Sequence, residues 1–307
     1  MKKLLLCSIV VLSIPLVIVN LIKPISNDIS EIGIYIKEPS VRVNLTREDR
    51  IKEVPLEDYI VGVVAAEMPV TFHEEALKAQ SVAARNYVLR KMEENQDNEY
   101  DINDTVMHQV FSTNERLKER WGDDFEVNLE KISNAVMATA GEFLDYNGKI
   151  ANTLYFSTSN GRTENNTDVF GADLSYLTSV ESPWDQNVSP AFNDMERFTI
   201  KDFNEKFDIN NNNKPNINIM NRSSTNRVLK ISVNGEEFTG IEFRHKLGLR
   251  STDFDIQVDN NNVVITTKGF GHGVGMSQYG AHGKAMEGYS YRDILAHFYQ
   301  GTTLKRL

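Results

Sequence analysis

Apolar residues fill positions 4–22 almost without interruption, broken only by Ser8, Ser13, Pro15 and Asn20. At ~1.5 Å rise per residue, a run of about 20 apolar residues spans a ~30 Å hydrocarbon core. Lys2 and Lys3 precede it, so the positive-inside rule keeps the N-terminus in the cytoplasm and exports everything after Lys23. The rival reading is a cleaved signal peptide, but residues 17–22 contain no small-x-small cleavage site. Residues 1–23 therefore read as an uncleaved single-pass anchor, with the C-terminal body in the membrane's outer compartment. Cys7 has no apolar region before it, which excludes a lipoprotein signal.

Beyond the anchor the pattern changes. Residues 24–44 mix polar positions with short β-like runs such as 32–36, and read as a tether leading to a first strand. Leu56, Tyr59, Ile60, Val63 and Val64 then recur at helical spacing, with Pro55 suited to the first turn and Pro69 stopping the helix just after Glu67. Thr71 and Glu74 form a capping-box pattern for a second helix over about 72–92. Ala76, Ala79, Ala83 and Ala84 give it a small-residue side, while Gln80, Arg85 and Asn86 are less readily explained by packing. Leu129, Ile132, Val136 and Thr139 outline a third helix closed by Gly141. Residues 142–146 and 149–156 flank Asn147-Gly148, a strong two-residue hairpin signal.

Residues 204–226 are rich in Asn and lack apolar periodicity, so they read as an exposed loop or insertion. The β-rich run 263–267 precedes glycines at 269, 271, 273, 275, 280, 283 and 288, which predicts a strand, a tight loop and a helix starting near Ser277. Ser290 and Asp293 cap a last helix over 291–299, with Ile294, Leu295 and Phe298 facing the core. Helices interspersed with hairpins make the fold class α+β, with two lobes meeting at a central cleft after the one transmembrane helix. The domain boundaries expected are anchor 1–23, tether 24–44 and catalytic body 45–307.

Charge separates the anchor from the body. The whole chain carries 33 basic and 43 acidic groups, and the anchor takes three lysines and no acid. An acidic body disfavours nucleic acid, whose phosphates need clustered Lys and Arg. The single cysteine, Cys7, excludes an intrachain disulfide, a Cys-rich zinc site and, being in the anchor, a cysteine nucleophile outside the membrane. The glycine-rich segment contains neither G-x-G-x-x-G nor a P-loop nor G-x-S-x-G. His272 and His282 stand ten residues apart without the H-E-x-x-H pattern, so no metal or other cofactor is expected.

One carboxyl stands out. Glu67 follows a run of apolar and small residues and ends a helix, so burial and the negative helix terminus both raise its pKa. A carboxyl held protonated near neutral pH is what general-acid cleavage of a glycosidic bond needs. The plainer reading is a solvated Glu at a helix end. Ser157 to Thr163 form a polar loop at a strand end, able to hydrogen-bond sugar hydroxyls or serve as an ordinary turn.

Five stretches carry a resemblance: Ala65-Ala66-Glu67-Met68-Pro69, Gln80-Ser81-Val82-Ala83-Ala84-Arg85-Asn86-Tyr87, Asp104-Thr105-Val106-Met107-His108-Gln109-Val110-Phe111, Phe156-Ser157-Thr158-Ser159-Asn160-Gly161-Arg162-Thr163-Glu164, and Gly271-His272-Gly273-Val274-Gly275-Met276-Ser277-Gln278-Tyr279-Gly280-Ala281. Over about residues 40–307 the chain resembles the stage II sporulation protein D family, membrane-anchored lytic transglycosylases of endospore-forming bacteria. The resemblance implies Glu67 as catalytic acid/base and Arg85 as a supporting active-site residue. Ser157, Ser159, His272, Gln278 and Tyr279 become expected substrate contacts.

It further implies cleavage of MurNAc-GlcNAc bonds in denuded glycan strands to 1,6-anhydro-MurNAc products during forespore engulfment, from the mother-cell engulfing membrane. The partners implied are the stage II P protein, an amidase/endopeptidase, and the stage II M membrane protein. The alternative from another class is a glycan-binding scaffold that recruits a peptidoglycan amidase. A metal-dependent amidase is the least favoured. Some relatives carry zinc beside the equivalent of His108, but here Met107 precedes it without a nearby Cys, so a packed or hydrogen-bonded His is expected.

Overall fold

The computed structural model describes residues 39–211 and 213–307. The predicted anchor, Cys7 and the 32–36 run lie outside the described residues. Among the described residues no helix is long and apolar enough to cross a membrane.

The body begins earlier than the sequence pattern suggests. Strand β1 (Ser40–Leu45) turns Val41, Val43 and Leu45 inward, all fully buried. Strand periodicity of two puts these three branched side chains on one face. β1 is central in its sheet, antiparallel to β2 (Arg50–Pro55) and parallel to β3 (Ile102–Asn103). Residues 40–44, expected in the tether, are thus part of the core sheet.

Helix α1 (Leu56–Glu67) ends as predicted, with the Met68 N–H donating to Val64 O at 3.0 Å. The second helix, α2 (Glu74–Glu94), starts later than the expected capping box. Phe72 N–H closes a turn on Pro69 O, and His73 rather than Thr71 is the N-cap, its side chain accepting from Glu75 N–H. α2 is a central element of the larger core. Its Asn86 amide holds strand β4 (Glu142–Tyr146) through Leu144 N–H and Leu144 O, both at 2.7 Å.

Helices α3 (Asn114–Trp121) and α4 (Phe125–Met137) pack on the outer side of this unit. The Asn147-Gly148 hairpin forms as predicted, with φ of 53° and 79°, joining β4 to β5 (Lys149–Ile150). The predicted second strand does not continue to residue 156. Tyr155–Phe156 (β6) belongs to a different, two-stranded sheet. Two short helices follow, α5 (Asn166–Phe170) and α6 (Asp185–Val188).

A second hydrophobic core is built within residues 193–268. β7 (Asn193–Thr199), α7 (Ile200–Lys206), β8 (Ile217–Arg222), β9 (Val228–Val233), β10 (Glu236–Thr239), α8 (Gly240–Leu247), β11 (Phe254–Val258) and β12 (Asn262–Lys268) enclose Phe203, Phe243, Phe254 and Ile265. Its two sheets have strand orders β10-β9-β8 and β11-β12-β7. The Asn-rich stretch is therefore not simply a loop. Ile217 and Ile219 of edge strand β8 pack on this core, and the Asn204 amide donates to the carbonyls of Asn211 and Asn213.

The chain returns to the first core through the glycine-rich segment. Gly269, Gly271, Gly273 and Gly275 all adopt positive φ, between 79° and 117°. This alternation presses residues 269–275 against residues 154–160, where a Cβ at Gly275 would stand 2.0 Å from Leu154 O. β13 (Met276–Ser277) then pairs parallel to β6 and leads directly into α9 (Gln278–Met286). The predicted capping box at Ser290 and Asp293 opens α10 (Tyr291–Phe298), and β14 (Thr303–Arg306) closes on β4. The fold class is α+β, as expected.

Candidate active site

Glu67 sits at the last residue of α1, half-buried. Its Oε1 accepts the Val110 backbone N–H at 2.8 Å. That contact requires the 109–112 segment to lie directly on the helix, and Gly62 permits it. A Cβ at Gly62 would fall 2.4 Å from the Phe111 ring and 2.7 Å from Ser112 O, and Ser112 N–H donates to Gly62 O.

Burial pushes the Glu67 pKa up, while the Val110 N–H and the Gln278 carboxamide pull it down by favouring the charged form. The net direction is upward. The Gln278 Nε2 is buried beside the carboxyl without a hydrogen bond of full geometry. Tyr155 and Tyr59 complete the surroundings. Burial raises both phenol pKa values well above the usual range, with the Glu67 charge adding to the effect. Gln109 links the two rings: its Nε2 donates to Tyr155 Oη at 3.0 Å, and its Oε1 accepts from Tyr59 Oη at 3.3 Å. No carboxylate is among the groups that shift Glu67.

Gln278 and Tyr279 arrive through the β6–β13 pair. Tyr279 N–H donates to Ser157 O at 3.1 Å, and its ring packs edge-on to Phe72 at 4.8 Å. The half-buried Ser157 hydroxyl lies 3.2 Å from Thr158 Oγ1. The structure therefore brings Gln278 beside Glu67 and Tyr279 beside Ser157.

Three other expected site residues are engaged within the fold. Arg85 is fully buried, its guanidinium clasping Glu57 through Nε–Oε1 at 2.9 Å and Nη2–Oε2 at 2.5 Å and donating to Glu142 O. Glu57 stands near the start of α1, so ten residues at ~1.5 Å rise put it about 15 Å from Glu67 along the helix. Arg85 is committed to that ion pair. Ser159 is also fully buried, its N–H and hydroxyl both donating to Asp185.

His272 supports the site from behind: Nδ1 accepts Val274 N–H, so Nε2 carries the proton donated to Tyr155 O at 3.0 Å. Burial lowers its pKa to about 4, which keeps the ring neutral. His108 is a hydrogen-bonded residue, its Nδ1 accepting Asn103 N–H at 3.1 Å.

Sequence reasoning did not single out Val110, Gln109, Tyr155 or Asp185. Val110 acts through its backbone, which leaves no side-chain signal. A polar Gln109 between His108 and an apolar pair was the available hint for the network.

A family model described as stage II sporulation protein matches residues 44–146, which include Glu67 and Val110. Stage II sporulation protein D of Bacillus amyloliquefaciens is 42% identical over 270 residues, covering 86% of this chain and 78% of that protein. Its counterpart in Bacillus subtilis (strain 168) is 40% identical with the same coverage. The amidase enhancer of Bacillus subtilis (strain 168) is 29% identical over 297 residues, covering 79% of this chain and 40% of that protein.

Proposed function

The chain belongs to the stage II sporulation protein D family, and we propose that it is a peptidoglycan lytic transglycosylase acting outside the membrane during sporulation. The observation that carries this reading is a single half-buried carboxyl with a raised pKa, Glu67, oriented by the Val110 N–H and flanked by neutral polar groups. A hydrolase normally uses two carboxylates, the second acting as nucleophile or water activator. One carboxyl suffices when the substrate supplies its own nucleophile.

In the proposed reaction, protonated Glu67 donates to the glycosidic oxygen as the bond from C1 of N-acetylmuramic acid breaks. The 6-hydroxyl of the same sugar then closes on C1, and the Glu67 carboxylate takes the hydroxyl proton. The products are a new 4-hydroxyl on N-acetylglucosamine and a 1,6-anhydro-muramyl end. Glu67 finishes protonated, ready for another cycle. Burial supplies the proton affinity for the first step, and the Val110 N–H and Gln278 stabilise the carboxylate for the second. Ser157 and Tyr279, joined by the Tyr279 N–H donating to Ser157 O, are the proposed glycan contacts.

The setting is a glycan denuded by an amidase, with the chain held by the 1–23 anchor at the engulfing membrane beside the stage II P and M proteins. The test is mass spectrometry of products from denuded glycan. Wild-type protein releases anhydro-muramyl fragments and Glu67→Gln releases none; undiminished release by the variant would sink the assignment.

A second reading is favoured by the relative named amidase enhancer, which shares 79% of this chain's length. On that reading the body retains glycan and recruits an amidase. Wild-type protein that binds strands without shortening them, while accelerating an added amidase, would support it.

A further inference from the structure

Asp185 lies on the short helix α6, is fully buried and has no part in the proposed proton transfers. Four donors converge on its carboxylate. Ser159 N–H at 2.8 Å and the Ser277 hydroxyl at 2.5 Å reach Oδ1. The hydroxyls of Ser159 at 2.9 Å and Ser182 at 2.6 Å reach Oδ2. Burial pushes the Asp185 pKa up, while these donors pull it down by favouring the charged form.

Burying a carboxylate is a poor way to stabilise a fold, because desolvation offsets much of what the hydrogen bonds return. What this arrangement supplies is geometry. The segment following β6, the 182–185 turn and the N-cap of α9 meet at one carboxylate. Ser277, the cap itself, also accepts Gly280 N–H at 3.2 Å. The next residue is Gln278, the side chain that faces Glu67. Close approach of the clamp to α9 depends on Gly280, where a Cβ would stand 2.3 Å from Ser182 Oγ and 2.7 Å from Asp185 Oδ2.

We propose that Asp185 is a positioning residue of this site: by fixing the Ser277 hydroxyl it aims the Gln278 carboxamide at the Glu67 carboxyl. The proposal rests on the reading of Glu67 as the acid/base. The other groups facing Glu67 come from different elements: Tyr59 from α1, Tyr155 from β6 and Val110 N–H from the 109–112 segment. Arg120 donates to Ala65 O near the same helix end. None of them forms a hydrogen bond with Asp185, so a change there reaches Glu67 through Gln278.

The experiment uses Asp185→Asn, Gln278→Ala and the double variant in the full chain. Turnover of denuded glycan is measured together with the Glu67 carboxyl titration by carbon-13 NMR. Loss of positioning is expected to lower kcat about tenfold to a hundredfold while KM stays within about twofold. The Glu67 titration moves upward in each single variant, because the group favouring the charged form is lost, and moves no further in the double variant. An unmoved titration in Asp185→Asn, or additive shifts in the double variant, overturns the proposal.

If Asp185→Asn does not fold, Ser277→Ala removes the connecting hydroxyl and faces the same criteria. The titration needs no turnover. A wild-type protein without anhydro-muramyl product therefore defeats the enzymatic reading, while the role of Asp185 is still decided by NMR.

Discussion

The Val110 backbone N–H donates to Glu67 Oε1 at 2.8 Å, joining residues 43 positions apart in sequence. The bond holds one carboxyl oxygen while burial raises the proton affinity of the group as a whole. A carboxyl that must give a proton and then take one back needs both features. Fixed orientation shortens the search for the reacting oxygen, and the Val110 N–H opposes part of the upward push of burial.

Gly62→Ala tests that contact from a distance. The new methyl would meet the Phe111 ring and the Ser112 carbonyl, so the 109–112 segment must shift off α1. Overpacking of this kind costs about 1–3 kcal/mol. The expected result is a folded protein with a lower melting temperature and at least about a tenfold drop in product release, since misplacement of ~1 Å can cost a hundredfold. Calorimetry alongside product assay checks it; a variant as stable and active as wild type would show that the segment's placement does not matter.

Glu67→Gln makes a stability prediction separate from its activity. A carboxyl whose folded pKa is raised contributes stability that is fully present below the unfolded value, about 4.3, and is lost as pH rises through the folded pKa. Gln retains an acceptor for Val110 and carries no charge. The variant is therefore expected to be more stable than wild type at pH 7, with the advantage fading toward pH 4. Urea unfolding at the two pH values measures this, and a variant less stable than wild type at pH 7 would contradict the burial argument.

Much of the scaffold is legible because its causes are local. The Asn147-Gly148 turn, the Ser290–Asp293 box and the Pro69 stop each depend on a few neighbouring residues. Glu67 is legible for the same reason, since an apolar helix end announces itself. The errors arise where long-range partners decide. Arg85, expected to support the active site, is held by Glu57, and Ser159, expected as a sugar contact, gives both its donors to Asp185. The Thr71 cap fails because the Pro69–Phe72 turn moves the helix start to His73. The Asn-rich stretch hides a strand because only Ile217 and Ile219 need to face the second core.

His272 gives a pH dependence of the opposite kind. Its folded pKa is depressed to about 4 by burial, so the folded state prefers the neutral ring. The stability this contributes is complete above the unfolded value, about 6.5, and is lost as pH falls from there toward 4. The loss is on the order of 2–3 kcal/mol for a shift of this size. Urea unfolding between pH 7 and pH 4 is expected to show that decline in wild type and a shallower one in His272→Gln. Equal slopes in the two proteins would mean that the folded imidazole takes up its proton as readily as the unfolded one, so that burial does not depress it.

Arg85 distinguishes a structural ion pair from a substrate contact. Its guanidinium is fully buried against Glu57, which also accepts Gly141 N–H at 3.0 Å. Arg85→Met takes the guanidinium away from a largely buried carboxylate, and breaking such a pair from one side costs about 3–5 kcal/mol. For a body of this size that lowers the melting temperature by roughly 10 °C. Replacing both members, as Arg85→Met with Glu57→Leu, removes the buried carboxylate together with the guanidinium and is expected to recover much of that loss. Throughout, KM of the folded fraction stays within about twofold, because the pair sits about 15 Å along α1 from Glu67. Calorimetry and glycan kinetics on the three variants separate the possibilities. A guanidinium that bound glycan would instead raise KM many-fold in Arg85→Met with little change in melting, and the Glu57 replacement would not restore stability.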